Sequence, residues 1–175
     1  DTYFKICAVG TNDEVPYGTE GEICLTGPSL MLGYINHPEE NAQTLRLHED
    51  RHVWLHTGDM GTMDEEGFNY FKQRIKRMII TSGYNVYPSQ IENILERHPA
   101  VQRSCVIGVS DSYKMQKVKA FVVLEKGYVD SPELQEELMA HCKSNIAKYA
   151  MPYMIEVLDS LPTTLVGKVA YTKLS

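Results

Sequence analysis

Apolar and polar positions along the first half of the chain predict short strands joined by turns. Residues 3–9 and 21–26 indicate two strands on either side of the turn-rich segment "TNDEVPYGTEG". A short helix is predicted within "GYINHPEENAQTL", with Asn36 or Pro38 near its start. The segment "VWLHTGDMGTMDEEGFNYFKQR" then predicts a strand leading into a hairpin with "DEEG" at its tip.

The register of this hairpin decides which side chains meet at its open end. Pairing Asp64 with Gly67 places Asp59 opposite Lys72. Asp59 and Arg74 then emerge together at the open end. A carboxylate and a guanidinium are therefore expected on one rim.

The second half of the chain follows a different pattern. A helix is predicted at about residues 88–97, followed by the strands "VQRSCVIGV" and "KVKAFVVLE". The next helix has Ser131 as its N-cap and Pro132 at its first position, and its apolar stripe consists of Leu134, Leu138, Cys142 and Ile146. With the final strand "MIEVLDSLP", this βαββαβ spacing predicts a compact α+β domain from about residue 75 onward.

Composition and charge narrow the class of protein. The 175 residues are 43% apolar and 23% charged, which is typical of a globular protein, and the formal net charge is −6. Residues 1–73 carry 4 basic and 13 acidic side chains, whereas residues 74–175 carry 13 and 10. Nucleic acid is therefore a poor partner. An anionic small ligand would meet positive charge mainly from the second half, although random surface variation explains the asymmetry equally well.

Cysteine usage and the absence of long apolar runs favour a cytosolic protein. No run approaches the roughly 20 apolar residues that cross a bilayer, and the start "DTYFKICAVG" lacks a basic leader. The four scattered cysteines indicate reduced structural thiols rather than a disulfide framework or a zinc site. Because the first residue is Asp and lies within strand-like sequence, we expect an excised fragment.

Several familiar motifs are excluded or weak. Gly167-Lys168 does not belong to a Walker phosphate loop, because Pro162 and Val169 stand where that motif needs Gly and Ser or Thr. No hydrolase, metalloprotease or dinucleotide-binding motif occurs. His48, His52 and His56 would share a face of a helix, but the segment "VWL" indicates extended chain, so no metal site is predicted here.

Five residues remain as candidates for chemistry, each with a plainer alternative. Asp59 follows Gly58 at a turn and either accepts hydrogen bonds from two vicinal hydroxyls of a ribose or bonds its own turn backbone. Arg74 either pairs with Asp59 or binds the same sugar or phosphate. Lys76 and Lys168 are otherwise surface lysines, and Gly83 allows either a close ligand approach or a turn.

Taken in order, three segments carry a resemblance to a known family. "GEICLTGPSLMLGYINHPEENAQTL", "WLHTGDMGTMDEEGFNYFKQRIKRMIITSGYNVYPSQIE" and "LPTTLVGKV" together resemble motifs of the adenylate-forming ligases. That superfamily contains acyl-CoA synthetases, firefly luciferase and the adenylation domains of nonribosomal peptide synthetases. The resemblance spans essentially the whole chain, and its motifs occur in the order of the family.

The resemblance implies a fold, a reaction and roles for particular residues. Residues 1–74 would form the β-rich end of the large N-terminal AMP-binding domain, and residues 75–175 the mobile C-terminal lid. Asp59 and Arg74 would bind the nucleotide of ATP or acyl-AMP, and Lys168 would be the catalytic lysine between the substrate carboxylate and the α-phosphate.

The same resemblance assigns the remaining candidates and the partners. Lys76 would be the hinge, and Gly83 and Tyr84 would lie on the loop that lines the pantetheine tunnel of CoA. The substrates would be a small carboxylate, ATP and CoA. Mg²⁺ would accompany ATP and bind mainly outside this chain. The pocket that selects the acid and the phosphate loop would belong to the missing N-terminal domain, so the fragment alone is expected to be inactive.

Two departures limit what the resemblance implies. "SGYN" stands at residues 82–85 where acyl-CoA ligases often have "GGEN", and Met115 stands where a turn glycine is common. The alternatives are an adenylation domain that loads a carrier protein and a non-catalytic interaction domain that keeps the lid fold.

Overall fold

The chain divides into two units within the short 3₁₀ helix Ile75–Arg77. A computed structural model describes residues 1–174, with one unit formed by Asp1–Lys76 and a second that begins at Arg77. The sequence placed the division two residues earlier, and the assignment of the units to a larger domain and a lid stays a prediction. Within residues 1–174, no helix combines the length and the apolar composition needed to cross a membrane.

The first unit is built on an antiparallel sheet in which one long strand, β4, pairs with three others. β2 follows one edge of β4, while β3 and β5 pair with opposite ends of its other edge, and β1 extends the sheet beyond β2. The elements are β1 Tyr3–Cys7, β2 Gly21–Thr26, α1 Pro38–Thr44, β3 Leu45–Leu47, β4 Val53–Met63 and β5 Asn69–Arg74. The predicted strands and the short helix are therefore present.

The hairpin of β4 and β5 confirms the shared rim but not the predicted register. Met63 pairs with Asn69, and Asp59 pairs with Arg74 instead of with Lys72. The prediction was thus wrong by one residue near the turn and by two residues at the open end. The consequence for the rim is favourable, because Asp59 and Arg74 lie directly opposite each other.

Two backbone features explain the shift in register. The connection is a three-residue loop rather than a two-residue one. The Asp64 amide donates to the Phe68 carbonyl, and the Gly67 amide donates to the Asp64 carbonyl. Gly67 has a φ of 86°. Asp64 Oδ1 also accepts hydrogen bonds from the amides of Glu66 and Phe68, at 3.0 and 2.9 Å. A bulge between Met60 and Gly61 adds the second offset.

The second unit has a mixed sheet with a large hydrophobic cluster shared with its helices and a smaller one around Cys105, Phe121 and Leu161, and this confirms the predicted α+β class. Strand β9 pairs antiparallel with β8 on one edge, and parallel with β10 and antiparallel with β6 on the other. The elements are β6 Ile79–Thr81, β7 Tyr84–Val86, α2 Pro88–Leu95, β8 Val101–Asp111, β9 Met115–Leu124, α3 Pro132–Asn145 and β10 Met154–Val157. The 3₁₀ helices are Ile75–Arg77, Lys148–Ala150 and Tyr171–Lys173.

Helix α3 forms as its sequence predicts. The Ser131 hydroxyl accepts a hydrogen bond from the Leu134 amide at 3.2 Å, and Pro132 opens the first turn. Leu134, Leu138 and Cys142 are buried in the core shared with α2 and the sheet. All four cysteines are buried free thiols, and burial raises the pKa of both Cys105 and Cys142 to about 11. These thiols are therefore protonated at neutral pH.

Met115 occupies a backbone conformation that favours glycine. Its φ is 68°, at the end of the tight turn between β8 and β9 where Asp111 Oδ1 accepts hydrogen bonds from the amides of Tyr113 and Lys114. The left-handed region costs a residue with a Cβ roughly 1–2 kcal/mol. Met115 therefore occupies a strained backbone position, at the place where the resemblance makes a glycine common.

We expect the Met115→Gly variant to be more stable than the natural chain. The side chain is 63% exposed, so little packing is lost. Glycine relieves the backbone strain of the folded state but adds conformational entropy to the unfolded chain. The net effect should raise the free energy of unfolding of this unit by about 0.5–1 kcal/mol. Amide hydrogen exchange of β8 and β9 measures the change. Met115→Ala is the matched control, since it keeps the Cβ, and an equal gain in both variants would contradict the explanation.

Candidate functional site

The rim is the open end of the β4–β5 hairpin, where Asp59 and Arg74 form an ion pair. Arg74 Nε lies 2.9 Å from Asp59 Oδ1. Arg74 also donates from NH1 to the carbonyl of Thr57 at 3.0 Å. Oδ1 accepts no hydrogen bond of good angle, so the contact with Arg74 is electrostatic rather than an aligned hydrogen bond. The Asp59 side chain is 25% exposed, which leaves acceptor capacity directed to solvent.

A bulge in β4 places Asp59 on this rim. Cys24 pairs with His56 and Glu22 pairs with Met60, so Thr57–Asp59 stand opposite Ile23 alone. Gly58 has a φ of 71°, a value that a side chain disfavours. Bulges of this kind turn side chains out of the sheet and are frequent beside functional sites.

Thr57 ties the bulge to the neighbouring strand. Its hydroxyl donates to the carbonyl of Ile23 at 2.7 Å and accepts from the amide of Asp59 at 3.1 Å. The backbone of Asp59 is therefore held in place independently of its side chain.

A buried polar network lies beneath the bulge. Glu22 Oε2 is 2.8 Å from His56 Nδ1, and Glu22 Oε1 accepts from the Gly58 amide at 2.9 Å. His56 Nε2 is 3.0 Å from His48 Nε2. Glu22, His48 and His56 are each at most 5% exposed. His52, the third histidine of the sequence pattern, is exposed and lies outside the network.

The environment of this network perturbs two pKa values. Burial alone would raise the pKa of Glu22, but the hydrogen bonds from His56 and the Gly58 amide outweigh it and hold the pKa below its usual value. Burial, reinforced by the positive charge of Lys5, lowers the pKa of His48. At neutral pH, Glu22 is ionised and His48 is neutral.

Sequence reasoning missed this network. It considered His48 and His56 only as residues on a helix and did not single out Glu22. The sequence contained one signal. Glu22 and Cys24 are two residues apart in a short strand and therefore share one face of it. A carboxylate on such a face needs a buried partner.

A surface groove of about 820 Å³ opens beside the rim within the first unit. Three cationic side chains, those of Arg46, Arg74 and Lys76, line it together with Glu39 and Glu40. Lys76 is exposed and forms no ion pair within residues 1–174. Asp59 does not line the groove itself but pairs with Arg74, which does. The mixed charge suits a ligand that presents both hydroxyl and anionic groups.

Two arginines bracket Lys76 and are fixed in different units. Arg74 is held by Asp59 and the Thr57 carbonyl in the first unit. Arg77 pairs with Glu92 in the second unit and lies 5.4 Å from the ring centre of Tyr171. Only two residues, Ile75 and Lys76, separate these anchors. Lys76 therefore lies between one anchored arginine of each unit.

Gly83 serves a tight turn. Ser82 and Gly83 have φ values of 50° and 82° and connect β6 to β7, as the two central residues of a type I′ hairpin turn do. A Cβ at Gly83 would meet no atom within 4 Å. Of the two explanations left open by the sequence, the turn is the one the structure supplies. Tyr84 follows and stacks on Tyr149 with ring centres 4.6 Å apart.

Lys168 lies on a hairpin loop in the second unit. Thr163 forms a bridge with Val169, and the Thr164 amide donates to the Lys168 carbonyl at 2.7 Å. Gly167 has a φ of 78° at the tip. Lys168 is exposed and has no ion pair with any residue of 1–174. The segment around Lys168 is thus a hydrogen-bonded hairpin.

The candidate residues fall into two groups. Asp59, Arg74 and Lys76 lie together in the first unit, whereas Tyr84 with its neighbour Gly83, and Lys168, lie in the second. The roles assigned to these residues from the resemblance stay predictions.

Comparisons with known proteins confirm the resemblance found in the motifs. Residues 90–168 match the family model described as the AMP-binding enzyme C-terminal domain. A long-chain-fatty-acid–CoA ligase of Bacillus subtilis (strain 168) is 48% identical over 159 residues, which cover 91% of this chain and 27% of that protein. A fatty acid–[acyl-carrier-protein] ligase of Streptomyces coeruleorubidus is 38% identical over 160 residues, covering 91% of this chain and 29% of the relative.

The fold is likewise shared with solved structures. The crystal structure of an ATP-bound RpMatB-BxBclM chimera matches with a TM-score of 0.90 and 36% identity, covering 99% of this chain and 33% of the other. The chain therefore spans about a quarter to a third of the length of the proteins it matches.

Proposed function

We propose, because residues 90–168 match the family model of the AMP-binding enzyme C-terminal domain, that this chain is the C-terminal part of an ATP-dependent acyl-CoA ligase. The whole protein would convert a carboxylate and ATP to acyl-AMP and pyrophosphate, and then acyl-AMP and CoA to acyl-CoA and AMP. The observation that carries the proposal is the 48% identity with the Bacillus ligase across nearly the whole chain. The acid itself is selected by residues outside this chain.

In the first half-reaction, the rim of the first unit would bind the nucleotide. Asp59 directs acceptor capacity to solvent beside the guanidinium of Arg74, so it suits the two vicinal hydroxyls of the ribose of ATP or acyl-AMP. Arg74 would support the same nucleotide from the groove that it lines. Mg²⁺ would accompany the phosphates of ATP and bind mainly to residues outside this chain.

Lys168 would supply a positive charge where two negative groups approach. Its ammonium has no ion pair within residues 1–174, so its charge is not already neutralised, and it lies on a hairpin closed by the Thr163–Val169 bridge. Bridging the carboxylate and the α-phosphate lowers the repulsion between them as the mixed anhydride forms.

For the second half-reaction, we place the hinge at Lys76. The arginine anchors on either side would keep each unit rigid up to its last residue, so that rotation occurs at Ile75 and Lys76. Gly83 and Tyr84 would then contact the pantetheine arm of CoA, with the type I′ turn giving the loop a narrow tip.

A second acceptor is supported by one observation. The relative from Streptomyces coeruleorubidus is named for transfer to an acyl carrier protein, and its identity to this chain is 38%. Loading a carrier protein is therefore the alternative function. A cytosolic location and the absence of a nucleic-acid partner stay predictions from composition.

Assay of the full-length protein that contains this chain tests the proposal. With fatty acids of different lengths, ATP and Mg²⁺, we expect release of pyrophosphate, and addition of CoA should yield acyl-CoA and AMP. The 175 residues alone should turn over no acid, since they span only 27% of the length of the Bacillus ligase. Thioester formation only with a carrier protein would favour the alternative acceptor, and turnover by the isolated chain would contradict the assignment.

A further inference from the structure

We propose that Glu22 and His56 are positioning residues that hold the Thr57–Asp59 bulge in the conformation that binds ATP. The inference rests on the proposed function of Asp59 and extends it to two buried residues that do not reach the rim. Glu22 acts through the Gly58 amide and His56 acts through Glu22.

The two carboxylate oxygens of Glu22 have separate tasks. Oε1 accepts from the Gly58 amide at 2.9 Å, and Oε2 contacts His56 Nδ1 at 2.8 Å. The first bond joins β2 to the centre of the bulge, one residue before Asp59. Because the carboxylate is ionised, its hydrogen bond to the amide is charge-assisted and stronger than one between neutral groups.

The histidines complete the network with one consistent arrangement of protons. His56 donates from Nδ1 to the Glu22 carboxylate, so its Nε2 is an acceptor and receives a hydrogen bond from the protonated Nε2 of His48. His48 Nδ1 is then a lone pair, which agrees with the lack of a partner at that buried atom. The proton positions follow from the hydrogen-bond network. His56 thereby fixes the orientation of the carboxylate that holds Gly58.

A metal ion at the same place fits the distances less well. Ligand atoms of Glu22, Cys24 and His56 lie within 4.8 Å of one another. Zinc bonds of about 2.0–2.3 Å in a tetrahedron would hold ligand atoms roughly 3.4 Å apart. The separation of Glu22 Oε2 from His56 Nδ1 is 2.8 Å, a hydrogen-bond distance.

Two matched pairs of variants in the full-length enzyme test the inference. Glu22→Gln keeps an acceptor oxygen for Gly58, whereas Glu22→Met has a similar length without one. His56→Asn places its amide nitrogen near the position of Nδ1, whereas His56→Gln places it nearer that of Nε2. Cys24→Ala is the control, because it removes a buried side chain whose Sγ lies 3.5 Å from His56 Nδ1 but which has no bond to Glu22 side-chain oxygens or to Gly58.

We expect the KM for ATP to rise about tenfold in Glu22→Met and His56→Gln. In Glu22→Gln and His56→Asn it should rise less than about threefold, while the KM for the carboxylate stays within twofold in all four. Exchange of the Gly58 amide should accelerate in the first two variants more than exchange elsewhere in the sheet. Cys24→Ala should lower the melting temperature with no change in the KM for ATP.

Three results separate the possible failures. Equal KM values for ATP in Glu22→Met and Glu22→Gln, together with equal values in the two His56 variants, would overturn the inference. A KM for ATP that rises in proportion to the fall in melting temperature across all five variants would assign Glu22 and His56 a merely structural role. That result would also overturn the inference. If the natural enzyme forms no acyl-AMP from any acid, the proposed function fails instead, while the Gly58 exchange still tests the network.

Discussion

Replacing Lys168 with alanine in the full-length protein is expected to slow acyl-adenylate formation by about 10²–10³-fold, the usual effect of removing one group that stabilises transition-state charge. The ammonium lies on a hairpin held by the Thr163–Val169 bridge, and no carboxylate of residues 1–174 neutralises it. Its removal leaves the carboxylate and the α-phosphate to approach without a bridging cation. The measurement is carboxylate-dependent pyrophosphate exchange.

The same variant should retain the second half-reaction. Thioester formation from supplied acyl-AMP needs no charge between carboxylate and phosphate, so its rate should stay close to that of the natural enzyme. Lys173→Ala is the matched control, because it removes another exposed lysine from the same C-terminal segment. If Lys168→Ala retains both half-reactions equally, the chain is better explained as a non-catalytic interaction domain with the lid fold.

The elements that the sequence predicted well depend on local signals. Helix α3 follows from a capping serine, a proline at the first position and three residues of one stripe that are all buried. The strands β8 and β9 were placed correctly but are longer than expected, because the polar residues of their turn continue the ladder to Asp111 and Met115. Local propensity underestimates a strand when cross-strand pairing extends it.

The hairpin register could not be obtained from spacing alone. The turn residues "DEEG" allow either a two-residue or a three-residue loop, and only the hydrogen bonds of Asp64 select the longer one. The bulge at Met60 and Gly61 has no sequence signal beyond one glycine. Even so, Asp59 and Arg74 share the rim as predicted. The longer loop and the bulge each move the partner of Asp59 one residue further along β5, from Lys72 to Arg74.

The buried network was missed for a different reason. Glu22 and His56 are 34 residues apart in the sequence, and their contact arises only when β2 pairs with β4. His48 is 8 residues from His56, but its contact with His56 requires the turn between β3 and β4. A period of two along β2 indicates that Glu22 faces inward with Cys24, but it does not identify the partner. Residues that act through a nonlocal hydrogen bond therefore need the structure, whereas Asp59 and Lys168 could be named from motifs.

Replacing Asp59 with alanine is expected to raise the KM for ATP by about 100-fold or more in the full-length enzyme. Hydrogen bonds to a charged acceptor contribute about 1.5–3 kcal/mol each, and the carboxylate would lose its bonds to two hydroxyls. Arg74 would remain anchored to the Thr57 carbonyl at 3.0 Å, and the Thr57 hydroxyl would still hold the Asp59 backbone at 3.1 Å. The effect should therefore come from the lost side chain and not from collapse of the rim.

Substrate analogues separate this contact from a general loss of structure. The natural enzyme should use 2′-deoxyATP about tenfold or more less efficiently than ATP, because one of the two hydroxyls that Asp59 accepts from is absent. Asp59→Ala should show little preference between the two nucleotides, since the partner of the missing hydroxyl is already gone. Asp59→Asn keeps one acceptor oxygen and should lie between these limits. If Asp59→Ala discriminates between the nucleotides as strongly as the natural enzyme, the ribose must be recognised by other residues, and the Asp59–Arg74 pair would only close the open end of the hairpin.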